Sequence, residues 1–305
     1  MDAHSRIEIP LSSLLEQKPP RAGSLAVTVF GDYIVEQGGS VWLASLTEVM
    51  AEFGLNARQV RTAIFRLGQD GWLQSRQLGR RSYYALSADG RAQFTRASAR
   101  IYAAESKPWD GNWVLLMPGQ TDSGAREELR KRLGWLGFGA LPNGVLAHPR
   151  CNDEALNQTL EELGLAGSVS VWRARPDNAE VPGEWVDSAW DVAGTAARYQ
   201  EFITDFTPFQ ELLTGGCVVT ERDAFVLRSL LIHNYRRVLL GTTDLPPSLL
   251  PSPWSGATAM SLVKTLYAAL QVPATRYACT RLSNAEGPLP PPTTAFFSRF
   301  GGLAH

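Results

Sequence analysis

Arg58, Arg61 and Arg66 lie close together in GLNARQVRTAIFRLGQDGW, residues 54–72, with Gln59 and Thr62 among them. A guanidinium presents its donors in a planar fork, which bridges two acceptors on a guanine or grips phosphate oxygens. The chemistry on offer is recognition of a polyanion. A second basic pair, Arg80 and Arg81, follows Gly79. Nothing comparable exists for bond-making chemistry. His4, His148, His233 and His305 are scattered, with no HExxH spacing, and no GxxxxGK[ST] loop occurs. Asp110 precedes the apolar run NWVLLMP and Asp122 falls beyond the turn after it, so a two-carboxylate metal site is not expected. The expectation is no catalytic residue, no metal and no cofactor.

The arginines need a rigid helix to carry them. Val60, Ile64 and Leu67 recur at helical spacing and can face a core, Asn56 is a suitable N-cap, and the helix is predicted from Ala57 to about Gln69. Before it, AGSLAVTVFGDYIVEQGG mixes β-branched residues with a length that favours a helix closed at Gly38 and Gly39. VWLASLTEVMAEFG reads as a second helix, stopped by Gly54. After it, WLQSRQLGRRSYYALSADGRAQF holds two strand-like runs around Gly79, Arg80 and Arg81, then a helix start. Helix, helix, charged helix and basic hairpin form the outline of a winged helix-turn-helix. In such a module the third helix enters the major groove and the wing tip meets phosphates or the minor groove. The competing reading is a solvated or internally paired basic face.

Charge distribution favours the first reading. Residues 56–100 contain nine arginines and two acids, about +7, in a chain of formal net charge −1. There are too few local acids to neutralise them. The whole chain, 305 residues with 44% hydrophobic and 19% charged residues, is large enough for two or three domains with ordinary cores. Cys151, Cys217 and Cys279 are far apart and odd in number, which reads as free thiols in a reducing compartment. No segment has the length and apolarity of a membrane span, and MDAHSRIEIP does not read as a signal peptide, so the expected location is the cytoplasm.

Residues 1–20 read as a poorly packed arm, and 21–100 as the winged helix. Within 101–180, the order of NWVLLMP, SGAREELRKRLGWLGFG, GALPNGVLAHPR, NDEALNQTLEELGL and GSVSVWRAR predicts a small ferredoxin-like α/β domain. Residues 181–285 turn mainly helical, interrupted by the proline-rich TTDLPPSLLPSPWSG, and 286–305 read as a flexible tail.

KPPRAGSLAVTVFGD (18–32), RQVRTAIFRLGQDGWL (58–73) with GRRSYYALSADG (79–90), WDGNWVLL (109–116), LGFGALPNGVLAHP (136–149) and LLIHNYRRVLLGTTDLPPSLLPSPWSG (230–256) together resemble the PaaX family, transcriptional repressors of phenylacetic acid degradation. The resemblance covers nearly all of the chain. Gly124–Ala125 and the weakly basic start of the middle helix depart from the pattern. The resemblance implies a winged helix, a middle domain similar to the Cas2 nuclease fold and a helical C-terminal domain. It also implies a homodimer that binds palindromic operator DNA and is released by phenylacetyl-CoA. Arg58, Gln59, Arg61, Thr62, Arg66, Arg80 and Arg81 are then the expected DNA contacts.

An aryl-CoA effector needs an apolar lining with a cationic edge. Trp190, Tyr199 and Phe202 are the candidate apolar contacts, and Arg228, His233, Tyr235, Arg236 and Arg237 supply the polar side of the expected ligand set. Packing and local salt bridges are the competing reading for all of them, and for His233 the preferred one. A DNA-binding activator, a regulator answering to another acyl-CoA, and an acyl-CoA-acting enzyme stay open as alternatives.

Overall fold

Residues 22–34 become helix, although their β-branched side chains also suit a strand. In the computed structural model, which describes residues 5–105, 108–119, 122–177 and 183–303, α1 spans Ser5–Gln17 and α2 spans Ala22–Val29. The chain then widens into a π-helical turn over Phe30–Ile34, where the Val35 N–H donates to the Phe30 carbonyl at 2.9 Å. Gly38 and Gly39, at φ +97° and +71°, end it as the glycine pair predicts. The expected loose arm is instead α1: Ile7, Leu11 and Leu14 share a buried stripe. Lys18, just beyond it, bonds Glu201 and Asp205 at 2.5 and 2.6 Å.

VWLASLTEVMAEFG divides. Its first residues join β1 (Ser40–Trp42), and α3 follows over Leu43–Ala51 with Leu46, Val49 and Met50 buried. α4 runs Ala57–Gln69, then β2 (Leu73–Leu78) and β3 (Arg81–Leu86) form the wing, and α5 (Ala88–Ile101) follows. The wing is a three-stranded sheet in the order β1-β3-β2, antiparallel throughout, with Val41 opposite Tyr84 and Ser75 opposite Tyr84 on its other side. Gly31 permits the close packing of α5, because a Cβ there would lie 2.5 Å from the Phe94 ring.

The middle segment builds β4 (Trp113–Pro118), α6 (Ser123–Trp135), β5 (Gly139–Ala140), β6 (Leu146–His148), α7 (Asp153–Glu162) and β7 (Val169–Ala174). Its antiparallel sheet runs β5-β6-β4-β7, the ferredoxin-like order, and packs Val114, Leu116 and Leu146 against Leu129, Leu133, Leu156 and Leu160 of the two helices. Asp122 and Asn152 cap α6 and α7 through side-chain oxygens.

Helices α8 (Gly183–Trp190), α9 (Val192–Thr214), α10 (Glu221–Leu240) and α11 (Ser255–Arg281) follow. SAWDVAGTAARYQEFITDFTPFQELL, which reads as one helix, breaks at Asp191 with φ +48°. A two-residue hairpin pair, β8 (Ser283–Asn284) and β9 (Gly287–Pro288), leads to α12 (Thr294–Phe297). The expected flexible tail packs within the described residues, burying Leu289, Phe296, Arg299 and Phe300.

Two compact units result. One comprises residues 1–105, 200–237 and 257–305, and the other 106–199 with 238–256. The winged helix and most of the helical segment that reads as a separate third domain therefore share one unit. No described helix is long and apolar enough to cross a membrane.

Candidate nucleic-acid interface

α4 begins in a reciprocal cap. The Asn56 side chain accepts from the Arg58 and Gln59 amides at 3.1 and 3.0 Å, while the Gln59 carbonyl oxygen accepts from the Asn56 amide at 2.8 Å. Val60 and Ile64 are buried on one side. At ~100° per residue this turns Arg58, Arg61, Thr62, Phe65, Arg66 and Gln69 outward, and all six are exposed. Gln59 is exposed too, but its carbonyl is committed to the cap, which leaves only its amide donors for a base edge. Phe65 escapes the sequence reading. It stands 66% exposed in the middle of the arginines, an apolar ring left in water at the centre of the face.

Arg80 and Arg81 sit at the wing tip as expected, both exposed. The Arg81 guanidinium lies 4.5 Å from the Trp42 ring centroid, a cation–π contact that anchors the wing to β1. Arg58, Arg61, Arg66, Arg76 and Arg80 have no ion-pair or hydrogen-bond partner among the described residues. The internally neutralised alternative fails on that point. Five unpaired guanidiniums on one helix and one hairpin leave a positive surface whose charge is unspent.

The eight candidate effector residues are divided between the two units. Trp190 and Tyr199 belong to one unit, while Phe202, Arg228, His233, Tyr235, Arg236 and Arg237 belong to the other. Arg228 is fully buried and committed: its Nε donates to Asp32 Oδ2 at 2.8 Å, and its guanidinium stacks on Tyr33 and Tyr267. Arg299 donates to Asp32 Oδ1 at 2.9 Å, and the Tyr102 and Tyr267 hydroxyls donate to the same oxygen at 2.9 and 2.7 Å. Two guanidiniums around one carboxylate form a structural ion cluster. Burial pushes the Tyr102 hydroxyl well above its ordinary range, and Asp32 beside it adds to that effect.

Tyr235 and Phe202 are core residues 5.8 Å apart by ring centroid. His233 is buried with Nδ1 3.2 Å from the Thr28 hydroxyl, and burial together with Arg236 and Arg237 lowers its pKa to about 3. Arg236 donates to Thr28 Oγ1 at 2.8 Å and to the Ser24 carbonyl at 2.6 Å, tying α10 to α2. Packing, the competing reading, accounts for these residues; Arg237 alone of the α10 group points outward.

Among the described residues the ferredoxin-like sheet carries no carboxylate pair. Asp110 bonds Asn112, and Asp122 caps α6 through the Ala125 amide at 2.9 Å. Among the described residues no three His, Cys, Asp or Glu side chains group as metal ligands; His4 and His305 lie outside those residues.

Comparison with known proteins divides the chain into three matched segments. Residues 21–90 match the model of PaaX-like protein, 106–186 that of the PaaX protein central Cas2-like domain, and 190–280 that of the PaaX-like protein C-terminal domain. The Transcriptional repressor PaaX of Escherichia coli (strain K12) is 35% identical over 303 residues, covering 98% of this chain and 96% of that protein. A solved structure, the uncharacterized protein Rv0674 from Mycobacterium tuberculosis, is 24% identical with a TM-score of 0.48, covering 76% of this chain and 90% of that one.

Proposed function

The chain belongs to the PaaX family, and on that premise we propose a ligand-responsive transcriptional repressor of phenylacetate or related aromatic catabolism. It is a regulator, not an enzyme, as the family's members are. The unpaired arginine face of α4 and the wing is the observation that carries DNA binding. α4 lies in the major groove, with Arg58, Arg61, Thr62 and Arg66 facing base edges and backbone, Gln59 closing the helix start, and Arg80 and Arg81 on the flanking phosphates. Each bidentate arginine–guanine pair contributes roughly 1–3 kcal/mol of discrimination, and the phosphate contacts set affinity and its dependence on salt.

A homodimer matches its twofold axis to a palindromic operator, so each recognition residue acts twice per site. The effector is phenylacetyl-CoA or a close aryl thioester. It releases DNA by binding the DNA-incompetent state more tightly, and a hundredfold loss of operator affinity needs about 2.7 kcal/mol of such coupling. The location is the cytoplasm, where both the operator and acyl-CoA thioesters are found.

Binding of the purified protein to its own upstream DNA, at fixed salt and titrated with phenylacetyl-CoA or free CoA, tests the reading. Specific binding relieved by the aryl thioester alone is expected. Binding indifferent to both ligands keeps the DNA assignment and removes the effector. Absence of sequence-specific binding removes the repressor reading itself.

A further inference from the structure

The unit containing the ferredoxin-like sheet carries an aromatic pocket that DNA binding does not use. Trp113 on β4, Trp185 and Trp190 on α8, with Leu115, Leu141 and Val186, wall a chamber of about 210 Å³. It adjoins a second cleft of about 780 Å³, reached past Trp109, Ala193, Ser248 and Leu250. Arg175, Pro176 and Val186 border both spaces, which therefore lie side by side about these three residues.

The walls are set in advance. Trp190 Nε1 donates to the Gly137 carbonyl at 2.9 Å, and its ring centroid lies 5.8 Å from that of Trp113. Trp109 packs edge-on against Trp113 at 5.4 Å and donates to the Asn112 and Pro149 carbonyls at 3.0 and 2.9 Å. Trp185 differs, being 50% exposed and leaving an indole face in water. Arg175 follows the last residue of β7, where a Cβ on Gly111 would come within 3.0 Å of its Nε; the guanidinium forms no direct salt bridge among the described residues, although its charge reaches the Asp110 carboxylate. Among the described residues that line the larger cleft, Asp187 is the carboxylate, and it accepts the Ala193 amide at 2.8 Å.

A small chamber of indole faces selects a planar aromatic group, since ring edges and faces pair favourably. A cation at its mouth selects a negative charge on whatever follows. The larger cleft falls within the roughly 300–1,000 Å³ of small-molecule sites. Two unequal, adjacent spaces that share one guanidinium on their border fit a ligand with an aryl head and a long anionic carrier.

We propose that this double pocket is the effector site, with the aryl group among Trp113, Trp185 and Trp190, Arg175 on the anionic carrier, and the carrier in the larger cleft. The assignment rests on the effector reading above. It moves the ligand from the buried α10 residues to the other unit and keeps only Trp190 of the original candidates as a direct wall.

Calorimetric titration of the full chain with phenylacetyl-CoA and with acetyl-CoA, which lacks the ring, tests it. Trp185→Ala should weaken phenylacetyl-CoA binding at least tenfold and leave acetyl-CoA binding unchanged, with Trp185→Phe restoring part of the loss. Arg175→Ala should weaken both thioesters. Both positions are on the surface, and ligand-free operator binding equal to that of the parent chain verifies that each variant folds. Parent-like affinity of both variants for phenylacetyl-CoA would overturn the site while the effector reading stands. No binding of phenylacetyl-CoA by the parent chain would overturn both.

Discussion

Phe65 is the residue on α4 whose exposure folding alone does not explain. A ring at the centre of a groove-facing helix is suited to the C5-methyl of thymine, the one apolar group on the major-groove edge of a base. Replacing operator thymines singly by deoxyuridine should cost the parent chain about 1 kcal/mol, roughly fivefold, at one position per half-site. Phe65→Ala should be insensitive to that replacement. Equal losses for both proteins at every position would remove the contact. His233 makes a separate prediction. Its neutral form is the one the fold accepts, with a pKa depressed to about 3 by burial beside Arg236 and Arg237. An unfolded histidine takes up a proton near pH 6.5, so this residue's contribution is whole above that value and falls as the solution is acidified toward pH 3. By pH 5 the loss is about 2 kcal/mol. Urea unfolding at pH 7 and pH 5 should show it in the parent chain and not in His233→Asn.

At the scale of elements, the wing and the Asp32 cluster do different work. The wing tip is exposed, and as a contact to the uniform phosphate backbone it predicts that Arg80→Ala weakens binding to all sequences alike. It should also lower the slope of log affinity against log salt by about 1. A changed base preference would place Arg80 in a groove instead. Asp32 has no such surface role. It sits on the π-helical turn after α2, and receives Arg228 from α10, Tyr267 from α11 and Arg299 from the segment after α12. Asp32→Asn leaves two guanidiniums with no buried counter-charge. The cost should be about 3–5 kcal/mol in denaturant unfolding, and a loss under 1 kcal/mol would show that water reaches the cluster. Local pattern could not reveal this joint, since Asp32 and Arg299 are 267 residues apart. Proline-rich composition made the tail read as mobile, whereas the aromatic and ion-pair partners that order it lie in distant helices.

For the whole molecule, operator symmetry supplies the test. Two chains per palindromic site, measured by sedimentation of the protein–DNA complex, are expected, and one chain on a full site would contradict the twofold reading. Phenylacetyl-CoA should raise the operator dissociation constant by a factor near a hundred, and by reciprocity operator DNA should weaken phenylacetyl-CoA binding equally. A ligand effect without that reciprocal loss would mean direct competition or aggregation rather than two coupled states.

The amino-acid sequence by itself determined the elements whose causes are local. Asn56, the Val60–Ile64–Leu67 stripe and the following Asp-Gly turn delimit α4 at Ala57–Gln69, and strand and helix periodicity along 113–174 yields the ferredoxin-like order. Those signals act over one or two turns of chain, and folding leaves them intact. The tertiary structure alone decided which charges remain in water. Arg58 and Arg228 both sit on helices among apolar residues, yet one is exposed with no partner among the described residues and the other is fully enclosed with Asp32. Burying a guanidinium requires a counter-charge and hydrogen-bond acceptors, and those come from segments that only folding brings together.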